Sequence, residues 1–145
     1  MRLTNRKIIG TILWWAEGTR ARRDKRWENG WMYHVDFTNT DPEMIKVFLD
    51  FLRNDIGIQE NRLKLQLQIH EGDDQELFES FWSDVTNIPR ERFTKTIIRP
   101  IGNKIGKTKG TCKVRYCDKK TYIFLCKLLQ EVLALINVEK DLTNR

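Results

Sequence analysis

Apolar and polar positions along this chain repeat with two periods, and the alternation between them predicts the elements. From position 5 to 16, Ile8, Ile9, Ile12, Leu13 and Trp15 or Ala16 recur at helical spacing. Thr4 stands before them as a capping hydroxyl and Gly18 after them as a stop. This predicts a first helix ending near Ala16. A basic stretch from Arg20 to Arg26 follows, then Trp27-Glu28-Asn29-Gly30-Trp31. Asn-Gly between aromatic residues signals a hairpin, because both central positions of such a turn take positive φ. Trp31, Tyr33, Val35 and Phe37 then alternate with Met32, His34, Asp36 and Thr38, the two-residue period of a strand with one apolar and one mostly polar face.

Asp41-Pro42-Glu43 has the chemistry of a helix start: a cap, a proline in the first turn and an acid near the positive end of the dipole. Met44, Ile45, Phe48, Leu49 and Leu52 form its apolar stripe, and Asn54 to Gly57 closes it. Arg62 to His70 is the cleanest strand pattern. Leu63, Leu65, Leu67 and Ile69 point one way, and Lys64, Gln66, Gln68 and His70 the other. Asp73 is expected to cap a third helix with Glu76 as its capping-box partner. Leu77, Phe78, Phe81, Trp82 and Val85 are its expected core side, and Asn87-Ile88-Pro89 its end. Phe93 to Arg99 and Thr111 to Tyr116 read as two strands around a glycine-containing loop, Pro100 to Gly110. An apolar helix from Lys119 to Asn137 closes the order, carrying Tyr122, Leu125, Leu128, Leu129, Val132 and Ile136. No repeat or linker divides the chain. Residues 1–138 are expected to form one domain and 139–145 a frayed tail.

The order is helix, two strands, helix, strand, helix, two strands, helix. An α+β fold with a single antiparallel sheet, covered by helices on one face only, accommodates it. The uncovered face would hold Arg20, Arg22, His34, Asp36, Thr38, Lys64, Gln66, Gln68, Lys113 and Arg115.

Composition narrows the classes. The chain has 145 residues, enough for one domain with a real core. It is 40% hydrophobic and 32% charged, a globular balance rather than a disordered or membrane one. A net charge of +6 and a pI near 9.3 make an anionic partner plausible. The first residues are basic, but the apolar run behind them is broken at Gly10, Thr11 and Glu17, so neither a signal peptide nor a membrane span is expected. An intracellular place and no membrane partner follow as expectations. Cys112, Cys117 and Cys126 lack C-x-x-C spacing, and His34 and His70 are distant in sequence, so neither a disulfide framework nor a zinc site is expected. The cysteines read as small apolar fillers.

Residues 92 to 115 carry eight Lys or Arg and no acid. Cations on an exposed sheet face attract phosphate by counterion release. Arg, Gln, Asp and Thr in the same place can read base edges in the major groove, which admits a two-stranded ribbon. The competing interpretation is an ordinary solvated sheet face.

The segment Gly10-Thr11-Ile12-Leu13-Trp14-Trp15-Ala16-Glu17-Gly18 resembles a degenerate LAGLIDADG motif: an apolar helix ending Ala-acid-Gly before a basic hairpin. Phe37-Thr38-Asn39-Thr40-Asp41-Pro42, Phe48-Leu49-Asp50-Phe51-Leu52 and Ile56-Gly57-Ile58 continue the resemblance to about residue 70, and the later helices fit more loosely. The resemblance implies the LAGLIDADG homing-endonuclease fold, an antiparallel β-sheet saddle with helices packed on one face, and double-stranded DNA as partner. One motif copy implies a homodimer on a pseudo-palindromic site. Gly10 and Ala16 are the small residues for close helix approach, and Gly10, Leu13 and Trp14 the expected dimer contacts. For Trp14 and Trp15, core or dimer packing is expected, with base stacking as the alternative.

By the same resemblance Glu17 is the catalytic, metal-binding carboxylate, a hard oxygen ligand suited to Mg²⁺. An exposed acid at a helix C-terminus is the alternative. Asn39 is the nearest match to a water-organising polar residue, with a turn or capping role beside it as alternative. Lys119 and Lys120 are the candidate basic catalytic residues, with Lys113 or Arg115 as replacements. The DNA contacts implied are Arg20, Arg22, Arg26, His34, Asp36, Thr38, Lys64, Gln66, Gln68, Lys95, Arg99, Lys113 and Arg115. No small-molecule cofactor is expected. The function implied is a site-specific, Mg²⁺-dependent DNA endonuclease. A non-cleaving DNA-binding regulator, an RNA maturase and a purely structural protein are the alternatives.

Overall fold

The computed structural model describes residues 2–18, 22–23, 31–101 and 108–143. Thr4 caps the first helix, α1 (Asn5–Glu17), its hydroxyl accepting from the Lys7 N–H at 3.3 Å. The buried side of α1 is not its aliphatic stripe. Gly10, Thr11 and Trp14 face inward, while Ile9 and Trp15 are 50% and 43% exposed. Two contacts account for this. Gly10 lies so close to the Phe51 ring that a Cβ would stand 2.1 Å from its Cγ, so only glycine permits the approach. Thr11 satisfies its hydroxyl on the Lys7 carbonyl at 2.6 Å and can therefore be buried. Gly10 and Trp14, expected at a dimer interface, are thus interior residues of a single chain, and Leu13 is half-buried against the same core.

Beyond α1, Gly18 forms an isolated bridge with Phe37. The short strands β1 (Arg22–Arg23) and β2 (Trp31–Met32) pair antiparallel, Arg23 opposite Trp31. A two-residue turn at Asn29-Gly30 would instead place position 28 opposite Trp31. The turn itself lies outside the described residues, as do Arg20 and Arg26. β3 (His34–Asn39) follows, then α2 (Pro42–Phe51), capped by Asp41, whose carboxylate accepts from the Glu43 N–H at 2.9 Å. A wider helical turn, Leu52–Ile56, ends on Gly57 in the left-handed region (φ 73°).

β4 (Lys64–His70) leads to α3 (Gln75–Thr86). Asp74 caps α3 through the Leu77 N–H, whereas Asp73 accepts from the His70 N–H and closes the preceding turn. The cap therefore falls one residue later than expected, and Glu76 pairs with Arg90 instead of closing a capping box. Leu77, expected in the core, sits in the first turn and is exposed. β5 (Ile97–Arg99), β6 (Thr111–Cys117) and α4 (Lys119–Thr143) complete the chain. Asp118 caps α4, accepting from both the amide and the hydroxyl of Thr121. α4 continues through Thr143, past the point where a frayed tail was expected.

The main sheet has four strands in the order β3-β6-β4-β5. β6 runs antiparallel to both neighbours, but β5 is parallel to β4, so the sheet is mixed rather than wholly antiparallel. β5 and β6 are also not a hairpin, because β4 lies between them. Val35, Phe37, Leu65, Leu67, Ile69, Cys112, Val114 and Tyr116 form the buried face. The helices pack there: Phe37 stacks on Phe48 of α2 at 4.5 Å, and Trp14 of α1 meets Tyr122 of α4 edge-on at 5.6 Å.

Candidate nucleic-acid interface

The two-residue period sends every second side chain of β3, β4 and β6 to the face opposite the helices. Cross-strand register then decides which of them meet. Asp36 lies opposite Arg115, and Arg115 opposite Lys64. Thr38 lies opposite Lys113, and Lys113 opposite Gln66. His34 pairs with Cys117, Gln68 with Thr111 and, on its other side, with Ile97. His70 pairs with Arg99. The sequence-predicted residues His34, Thr38, Lys64, Gln66, Gln68, Arg99, Lys113 and Arg115 therefore share one face, as the alternation required. Along β4 the burial alternates without exception between this accessible face and the closed one.

Register adds Thr111 and Cys117 to the face, beside His70, whose phase with Gln68 the sequence already showed. Their own signal was their phase with Lys113 and Arg115 on the same strand. Lys95 is exposed just before β5, and its carbonyl accepts from the Gln66 side-chain amide at 2.9 Å. Arg22 lies in β1 at the level of Met32.

Asp36, expected on the accessible face, is only 4% exposed, and its Oδ1 and Oδ2 accept from Nε and an Nη of Arg115, both at 2.9 Å. The Asp36 hydrogen bond outweighs burial and raises the already high pKa of Arg115, so the guanidinium is charged at every working pH. Burial pushes the Cys117 thiol up, keeping it protonated near neutrality. Two cations, Arg115 and Lys64, stand side by side across the strands, an arrangement that disfavours itself unless an anion is near. Asp36 supplies one carboxylate; Lys64 and Lys113 add positive charge to the same face.

Glu17 is exposed at the C-terminal end of α1, where the Gly18–Phe37 bridge ties the chain to the edge of β3. Asn39 is on the same strand, but its Oδ1 accepts from the Asp41 N–H at 2.9 Å and its Nδ2 contacts the Met44 sulfur at 3.1 Å. It therefore shapes the turn into α2, and its polar atoms are engaged. Lys119 stands at the opposite end of β3, its Nζ 5.4 Å from the Tyr33 ring centroid. Lys120 is exposed beside it, and Tyr122, one turn further along α4, meets Trp14, one turn before Glu17.

Among the described residues no three His, Cys, Asp or Glu side chains form a group that could hold a metal. Glu17 is itself a hard oxygen donor. No helix among the described residues is long and apolar enough to cross a membrane. Comparisons with protein-family models, with curated proteins and with solved structures returned no match.

Proposed function

We propose that this chain binds double-stranded DNA across the uncovered face of its sheet and, as a homodimer, acts as a site-specific endonuclease of the LAGLIDADG type. The supporting observation is the sheet face opposite the described helices, on which Lys64, Lys113 and Arg115 sit in register with Gln66, Gln68, Thr38 and Thr111. Cations provide salt-sensitive attraction to phosphate, and amides and hydroxyls provide directional contacts to base edges. Size selects the mode of contact. Four strands span about 14 Å between outer backbones, wider than the roughly 12 Å major groove. A pair of strands enters the groove, and the outer strands flank it near the phosphates.

The apolar outer side of α1 supports the dimer: Ile9 and Trp15 are exposed, with Ile12 half-exposed between them. Two copies joined there would bring two Glu17 carboxylates toward a common axis. Mg²⁺ held by them would supply the charge stabilisation and activated water that phosphodiester hydrolysis needs. Glu17 suits that role by its exposure and its hard oxygen donors.

Selection of bound duplexes from a random pool, followed by incubation of the winners with Mg²⁺, tests this proposal. Enrichment of a two-half-site sequence and its double-strand cleavage are expected. Glu17→Gln should retain binding and lose cleavage. Failure to enrich any duplex would reject the DNA reading. Binding without cleavage by the unaltered chain would favour a non-cleaving DNA-binding regulator. The engagement of the Asn39 side chain in the turn into α2 lends that second reading weight.

A further inference from the structure

We infer that Arg115 is a base-reading side chain that selects guanine, and that Asp36 is the positioning residue that aims it. This rests on the reading of the sheet face as a DNA interface. A guanidinium has five N–H donors in a fixed plane. Asp36 takes two of them, one on Nε and one on an Nη, each at 2.9 Å. Three donors remain on the far edge, and a parallel pair of them matches the O6 and N7 acceptors that guanine presents in the major groove. The side chain of Arg115 is 35% exposed, while that of Asp36, its cross-strand neighbour, is 5% exposed, so the carboxylate is shielded and the guanidinium is in reach of solvent.

Charge separates base reading from phosphate binding. Arg115 paired with Asp36 carries almost no net charge as a unit, which weakens its attraction to phosphate. Its remaining donors keep their direction, and direction is what a neutral base edge requires. Lys64 and Lys113, beside it in register, are point charges suited to the phosphates. An arginine already held in one orientation also loses less freedom on binding than a loose one. Gln66 and Gln68 lie on the same face but one amide, that of Gln66, is donated to the Lys95 carbonyl.

The test is duplex selection from a random pool, with salt-dependent affinities, for the unaltered protein and for Arg115→Gln, Asp36→Asn and the double variant. The unaltered protein should show one strongly preferred guanine in each half-site. Arg115→Gln should lose that preference by on the order of tenfold to a hundredfold, leaving other positions unchanged. Asp36→Asn should keep the same base with a weaker preference. Its dependence of log K on log salt should steepen by about one phosphate contact, because the released guanidinium charge becomes available. Arg115→Gln removes a bidentate partner from the buried Asp36 carboxylate and can lower stability. The double variant removes both charges together and must lose the same guanine preference, with thermal melting confirming that it is folded. A guanine preference that survives Arg115→Gln overturns this inference alone. So does a uniform loss across all sequences with a shallower salt slope, the signature of a phosphate clamp. A pool from which the unaltered protein enriches nothing overturns the interface itself, and this inference with it.

Discussion

Gly10 shows how little room a single position has. Its neighbour is the buried Phe51 ring, not the flexible end of a surface side chain, so an added methyl group cannot be accommodated by rotation alone. Gly10→Ala is expected to destabilise the fold by about 1–3 kcal/mol through overpacking, measured as a lower urea midpoint at unchanged m-value. An unchanged midpoint would mean that α1 and α2 do not pack as described. Trp14, close by, fills the space between α1 and α4 against Tyr122. Trp14→Ala should cost about 3–5 kcal/mol, as other deletions of a buried aromatic do. Both residues were legible as helix-forming, but their burial was not. Hydrophobicity favours Ile9 and Trp15 for the interior, whereas close backbone approach at Gly10 turned the helix the other way.

At the scale of elements, side-chain caps and ion pairs set how ends are held. Asp118 terminates β6 and starts α4, and Thr121 hydrogen bonds hold its carboxyl below the usual aspartate range. Because the folded form binds its proton less readily than the unfolded form, this stabilisation is complete above the ordinary value of 3.8 and is lost as pH falls through the depressed one. Asp118→Ala should therefore lower stability by about 1 kcal/mol near neutral pH, with the difference closing in strong acid. Melting curves of both proteins across that range check it; a gap independent of pH would contradict the cap. Glu60 follows the same sign. Burial raises its pKa, but hydrogen bonds from Arg53 and Arg92 outweigh burial and lower it overall. It joins the turn after α2 to the segment before β5, two pieces of chain separated by β4. Glu60→Gln should flatten the loss of stability below the ordinary value of 4.5. The capping role of Thr4 and Asp41 was readable from local sequence, because a cap and its N–H lie within three residues. The Glu60 pairs were not, since nothing nearby in sequence specifies a partner 32 residues away.

For the whole molecule, two surfaces carry the functional argument. On the outer side of α1, Ile9→Glu with Trp15→Glu should convert the proposed dimer to monomer, read by sedimentation equilibrium. These positions are solvent-facing in the single chain, so the fold should survive. Monomeric unaltered protein at all concentrations would remove the dimer from the proposal. On the sheet face, log K for duplex DNA should fall linearly with log salt, by about 0.9 per phosphate neutralised. A flat dependence would mean that the cations there do not engage a polyanion.

The amino-acid sequence alone determined the helices and most strands, because capping hydrogen bonds and the two-residue pleat are local. It also determined which side chains of β3 and β4 are coplanar: even positions from 34 to 38 and from 64 to 70 can only project together. Tertiary structure alone decided the strand order, the parallel direction of β5, the inward side of α1 and the union of Asp36 with Arg115, 79 residues apart. Those choices depend on surfaces contributed by distant parts of the chain, whose complementarity exists only after the strands and helices have met.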